Sequence, residues 1–495
     1  MKTHFIQCLW VSSALFSTVI NAAGVKPEPT ITKGNTMPST APHESVFSVG
    51  PNLFIDDFLI AESAGLKRTT HQPEKRAEPV FHVTPGNVLY DADSSRYRMW
   101  YTELTPQAAY ALAESKDCIT WNKPDMGLID VAGAKPNNFI DAPKGCFTGQ
   151  LLDEGPGFAD PARRYKLAYF VAGKGMCVTF AADGLRFTPY AGNPVIREAA
   201  DETPAYKPGY TNLISDVING CWDPMRKEYL VIGKAWRGGY PGFPHHAVNG
   251  WRRCVVMTTS RDFVSWETPK IIITPDPKNG LEEFYSFTPM VRGNLYLGFL
   301  RVLRDDLPAT PGGAVEGVGW TELVTSRDGC NWTRHQEKFL DRDLREGRFD
   351  HAFAWCGTSV TVGDKEYFLY AALLSGHKTD RNNGRKTGLA IMRKNGFVSR
   401  DADVENGRLR TPPGVFPGDT LTVNAVVRGE LRVRFLDGKG NVIRGFDWAD
   451  SIPVQGDSVA HRLAWRGQPR LPRDHAIAME FSLRDADLYG FDFGL

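Results

Sequence analysis

Apolar and polar positions alternate in short runs over residues 47–400, and no window sustains the apolar period of a helix. A seven-residue box punctuates these runs at Ser115–Trp121 (SKDCITW), Ala181–Phe187 (AADGLRF), Ser260–Trp266 (SRDFVSW) and Ser326–Trp332 (SRDGCNW). A degraded fifth copy stands at Met392–Phe397 (MRKNGF). Each box follows one apolar run and precedes another, which predicts a hairpin. The Asp takes backbone amides in the tight turn, and the aromatic seals the next strand against the sheet. The box is expected to build scaffold rather than to carry chemistry.

A second element lies upstream of each box: an apolar run, an acidic or glycine turn and an aromatic-rich strand. Its copies run from Val88–Asp91 to Tyr97–Tyr101, from Gln150–Asp153 to Tyr165–Tyr169, and from Gly220–Asp223 to Tyr229–Ile232. Two more run from Met290–Gly293 to Tyr296–Phe299 and from Thr361–Asp364 to Tyr367–Tyr370. Two hairpins per repeat make four strands, the content of one propeller blade. The chain therefore reads as all-β, with a five-bladed β-propeller over residues 47–402. After Phe397 the repeat stops, and short strands at close spacing over 403–495 predict a small antiparallel β-sandwich. It is expected to pack against the propeller, with carbohydrate binding as the sharper alternative.

Length and charge narrow the function. A chain of 495 residues has room for two domains, and a net charge of +1 without Lys/Arg clusters argues against nucleic acid or an anionic membrane as partner. Met1–Ala23 reads as a signal peptide: a short positive start, an apolar stretch too short to span a bilayer, and small residues at Ala22 and Ala23. Residues 24–46 read as a flexible leader. The mature protein is thus expected outside the cytoplasm, periplasmic or extracellular. Of eight cysteines, seven lie beyond Cys8; an odd number leaves at least one free thiol, and no C-x-x-C pair supports zinc.

In a propeller, residues at the starts of the innermost strands converge on one mouth although they lie far apart in sequence. Those positions are Asn87; Asp141 and Gln150; Asp216 and Asn219; Glu282, Glu283 and Tyr285; and Asp350 with His351. Two carboxyls flanking a glycosidic bond, one protonated and one ionised, are what glycoside hydrolysis needs. Adjacent Glu282 and Glu283 point opposite ways on a strand, and core-directed Phe284 and Phe287 favour Glu283 for the mouth. Asp91, Asp153 and Asp223 recur from repeat to repeat and read as structural. Catalytic candidates are therefore Glu283, Asp216, Asp350 and Asp141; Asn87, Asn219, Tyr285, His351 and Gln150 are candidate substrate contacts. His245, His246 and His377, on loops, are further candidates for the mouth, and Arg252, Arg253, Arg381, Arg385 and Lys386 are candidates for contacting an acidic or sulfated sugar.

The segments Leu53–Ile60, His71–Lys75, Tyr97–Tyr101, Ser215–Asp223, Ser260–Trp266 and Phe481–Tyr489 resemble a group of exported bacterial proteins akin to the five-bladed glycoside hydrolases of families 32 and 43. The resemblance implies a secreted glycosidase acting on poly- or oligosaccharides, with Glu283 as acid and Asp216 as the aspartate that tunes it. The first-blade position of the family's base holds Asn87, so Asp141 or Asp350 would have to serve as base. The alternative is a non-catalytic carbohydrate-binding propeller with Tyr285, Trp320 and Trp355 as stacking platforms. A sialidase shares a similar box but needs six blades. No organic cofactor is implied; the resemblance offers a calcium ion on the axis, held by Asp216, Asn219, Asp350 and His351.

Overall fold

The computed structural model describes residues 46–103, 109–130, 137–143, 149–198, 214–240, 250–380, 384–468 and 470–494. The expected signal peptide, nearly all of the leader, His245, His246 and Arg381 lie outside the described residues. Strands dominate; among the described residues the helical elements are one four-residue α-helix, His377–Asp380, and two three-residue 3₁₀ turns. No described helix is long and apolar enough to cross a membrane.

Five antiparallel meanders follow one another along the chain. They begin with the strands Asn87–Asp91, Gly149–Asp153, Ile218–Asp223, Glu283–Arg292 and Phe353–Val362. Each first strand touches the next, and the fifth touches the first, so these strands form a closed ring. A single parallel bridge, Gly319 to Phe353, joins the fourth and fifth meanders into one sheet. The outer strand of the fifth meander comes from far upstream: Glu74–Lys75 pairs with Lys386–Arg393. Lys75 then donates to Asp350 at 2.7 Å, and Tyr370 donates its hydroxyl to the same oxygen at 3.0 Å.

The boxes form as the sequence predicts. Asp117, Asp183, Asp262 and Asp328 each accept from two amides further along the turn, at 2.7–2.9 Å. The fourth box position is left-handed in every copy (Cys118 φ 59°, Gly184 71°, Phe263 67°, Gly329 67°). The three box tryptophans donate Nε1–H to the carbonyl of that same residue. Phe263 accepts the left-handed strain because its ring is buried against Phe180, Tyr229 and Trp266. Asp91, Asp153 and Asp223 hold their own turns, as expected for residues that recur.

The last sheet departs from the expected division at residue 403. Thr420–Leu436 and Ala478–Gly494 pair along most of their length, and Val454–Arg462 adds to the former. Gly50–Leu53 pairs with Ala478–Gly494, Glu62–Ala64 with Gly407–Arg410, and Lys67–Thr70 with Val398–Ala402. Residues 50–70, which fell within the expected propeller range, thus belong to the C-terminal sheet. The reason is packing: Phe47 and Phe54 enter one aromatic core with Phe416, Phe481, Phe491 and Phe493. The described cysteines are all free thiols; Cys118, Cys177, Cys254 and Cys356 are buried and act as small apolar side chains.

Two outcomes are expected. Lys75→Ala strands a fully buried carboxylate and lowers stability by about 3–5 kcal/mol in chemical denaturation; a change under about 1 kcal/mol would mean that the pair does not hold the closing strand. At Asp262, burial opposes ionisation, but the amides of Ser265 and Val264 and two hydroxyls outweigh it and hold the carboxyl at about 2. That stabilisation is complete above the ordinary aspartate value of about 4 and is lost as pH falls through about 2. Asp262→Ala should therefore destabilise by up to about 1 kcal/mol at pH 7, with the gap to wild type closing in acid; a pH-independent gap would contradict it.

Candidate active site

The ring of first strands surrounds a cavity of about 630 Å³, within the range of roughly 300–1,000 Å³ common for ligand pockets. Its wall is tied together by side chains that reach from one meander to the next. Asn87 donates to the Gly149 carbonyl at 2.8 Å, and the Gly220 amide donates to Gln150 Oε1 at 3.1 Å. Asn219 donates to Ser286 Oγ at 3.1 Å, and Thr288 donates to the Gly357 carbonyl at 2.8 Å. A Cβ on Gly357 would lie 3.0 Å from Pro85, which keeps the fifth meander close to the first. Asn87, Gln150 and Asn219 therefore line the cavity as expected, but these amide groups join strands.

Asp216 precedes its strand and lines the cavity. It forms an ion pair with Lys234 and accepts from Ser215 Oγ at 3.1 Å. Burial opposes its charge, yet Lys234 and Ser215 outweigh this and hold the carboxyl below its ordinary value. Lys234 lies 4.4 Å from the centroid of Tyr285. Tyr285 in turn stands 4.8 Å from Trp355, whose Nε1 donates to the Val302 carbonyl at 2.9 Å. His377 completes this wall, edge-on to Tyr285 at 5.6 Å, with Nδ1 3.1 Å from buried Asp305. Burial holds the His377 imidazole below its ordinary value, with Asp305 opposing, so the ring is neutral at pH 7.

The other expected carboxylates are elsewhere. Glu283 is 0 % exposed and outside the cavity lining: it accepts from the Arg253 amide at 2.9 Å and from Arg253 Nη1 at 2.8 Å. Arg253 in turn stacks on Trp236 and Tyr285, 4.4 and 4.9 Å from the centroids. Glu282 is held by both Arg334 Nη groups, so neither glutamate of the pair faces the mouth. Asp350 is spent on Lys75 and Tyr370. Asp141 is exposed, and its backbone makes an isolated bridge to Arg186. His351 sits against the carbonyls of Asp343 and Arg345, with Thr310 on its other nitrogen. Trp320 donates to Glu322 away from the cavity.

Besides Arg292, two charged lining residues escaped the sequence reading. Glu103 ends the strand Arg96–Glu103 at the cavity, 3.0 Å from Lys123. Arg301 enters from Leu295–Arg304, where it is the one charge inside an otherwise apolar run (LYLGFLRVLR) until the terminal Arg304. That lone charge was the available signal.

The donor set does not fit an axial calcium ion. Asn219 Oδ1 accepts from Arg301 Nη2 at 3.1 Å, Asp216 is neutralised by Lys234, and Asp350 and His351 are not in the cavity lining. A divalent cation there would face a fixed guanidinium and find few of the oxygen ligands it requires. Exhaustive chelation and calcium re-addition should therefore leave the melting temperature unchanged; a calcium-dependent rise of several degrees would contradict this reading.

No protein-family model and no curated protein matches the chain. Among solved structures, it is similar to a thermostable family-43 glycoside hydrolase (11% identity, 67% of this chain and 95% of that one, TM-score 0.41). It is also similar to a GH32 β-fructofuranosidase of Bombyx mori (11% identity, 84% and 94%, TM-score 0.40). A third is an exo-inulinase from Aspergillus awamori (12% identity, 86% and 99%, TM-score 0.38).

Proposed function

We propose that the chain is a five-bladed β-propeller with an attached β-sandwich, and that it is a glycoside hydrolase whose funnel cavity holds an oligosaccharide. The closed ring of five first strands supports the blade count, and the pairing of Glu74–Lys75 with the fifth meander supports closure by an upstream strand. The observation that carries the activity is the cavity lining: among the described residues its carboxylates are Glu103 and Asp216, beside the aromatic wall of Tyr285 and Trp355. In this assignment Asp216, kept ionised by Lys234, activates water or attacks the anomeric carbon. Glu103 gives a proton to the leaving glycosidic oxygen, which requires the substrate to displace Lys123, 3.0 Å away.

A second reading, non-catalytic sugar binding, is favoured by one specific observation: Glu283, the glutamate expected as acid, is locked by Arg253. One experiment separates the two. Oligosaccharides and aryl glycosides are presented to wild type, Glu103→Gln and Asp216→Asn, with binding and turnover measured in parallel. Hydrolysis requires each substitution to lower kcat by about 10²–10⁴-fold while binding persists. Binding without turnover in wild type across the panel would establish the second reading, and turnover untouched by both substitutions would remove these carboxylates from the chemistry.

A further inference from the structure

We infer that Arg301 receives an anionic substituent, a carboxylate or a sulfate ester, on the saccharide in the cavity; the inference rests on the saccharide reading above and specifies its substrate class. Arg301 lines the cavity, and every described group that it bonds to is neutral. Its Nε donates to the Cys356 carbonyl at 2.8 Å, and its Nη2 donates to Asn219 Oδ1 at 3.1 Å and to Thr288 Oγ1 at 3.0 Å. These bonds use three of the five guanidinium hydrogens. Both Nη1 hydrogens are left without an acceptor among the described residues, and no carboxylate there lies within ion-pair distance.

Three neighbouring charges are answered within the protein, and Arg385, also in the lining, reaches Thr84 at 3.5 Å. Arg292 lines the same cavity and is neutralised by Glu366 at 2.9 Å. Asp216 is answered by Lys234, and Glu103 by Lys123. Arg301 is thus a cation in the cavity wall whose counter-charge none of the described residues supplies. Burying such a charge is unfavourable unless it is paired. Burial pushes the Arg301 guanidinium down to about 10, so it is still protonated at neutral pH. Its three bonds, to residues of the third, fourth and fifth meanders, fix its plane before any ligand arrives. An anion bound at Nη1 therefore gains a charge-assisted hydrogen bond with little ordering cost. The aromatic pair Tyr285 and Trp355 is close by: Trp355 adjoins the carbonyl-bearing Cys356 and bonds to Val302, the residue after Arg301. A sugar ring on that wall would carry its acidic group toward the guanidinium.

The test is calorimetric titration of the whole protein with three probes: homogalacturonan oligomers as free acids, the same oligomers as methyl esters, and sulfated oligosaccharides beside their unsulfated parents. Wild type is expected to bind an anionic form about tenfold to a hundredfold tighter than its neutral counterpart. Which arm shows the preference identifies the anion as carboxylate or sulfate. Arg301→Gln should abolish that preference while neutral forms keep their affinity. Because Arg301 also ties three meanders, the acid-to-ester comparison in wild type stands alone if the variant fails to fold. Equal or weaker binding of both anionic forms relative to their neutral counterparts overturns the inference and leaves the saccharide reading in place. Absence of binding in every arm overturns the saccharide reading and this inference with it.

Discussion

The cavity depends on hydrogen bonds that cross from one sheet to the next. Within each meander the backbone ladder satisfies itself, and between the meanders it adds only slight pairing such as the parallel bridge Gly319 to Phe353. Asn87, Gln150, Asn219 and Thr288 supply the missing connections, each spanning to the first strand of the adjacent unit. A buried amide left without its partner costs about 1–3 kcal/mol, so these contacts specify one arrangement of the ring. Arg301 draws the same constraint tighter by binding acceptors from three units with one rigid planar group.

Closing the ring consumes charge in a way that divides scaffold from site. Asp350 and Glu283 are both 0 % exposed, and each is bound by a cation and by further donors. A carboxylate in that setting is held by multiple charge-assisted bonds and is poorly suited to exchange a proton with substrate. Asp216 is paired with Lys234 but also has a place in the cavity wall, which keeps it charged and within reach of a ligand.

The local features were legible because their physics is local. An Asp two residues before its amide donors, and a Trp three residues after its acceptor, can be read from a seven-residue window, and all four boxes formed as that window predicts. Recurrence also separated Asp91, Asp153 and Asp223 correctly as turn residues. What one window cannot hold is the partner of a buried charge. Glu283 meets Arg253 thirty residues upstream, and Asp350 meets Lys75 at a separation of 275, so both looked like unclaimed carboxylates at strand starts. The same limit hid the pairing of residues 50–70 with the C-terminal sheet, whose register is set by strands some four hundred residues later. Arg301 was legible in principle, as a single charge in a buried strand, whereas Glu103 differs from any strand-end glutamate only in where the ring places it.

The proposed function places a saccharide in the cavity inside the ring. A crystal structure of Glu103→Gln grown with an acidic oligosaccharide tests it most directly. A sugar ring is expected against Tyr285 and Trp355, with its anionic group at Arg301 Nη1 and its glycosidic oxygen between positions 103 and 216. A sugar found on the sandwich, or a cavity left empty while a surface of the C-terminal sheet is occupied, would contradict it.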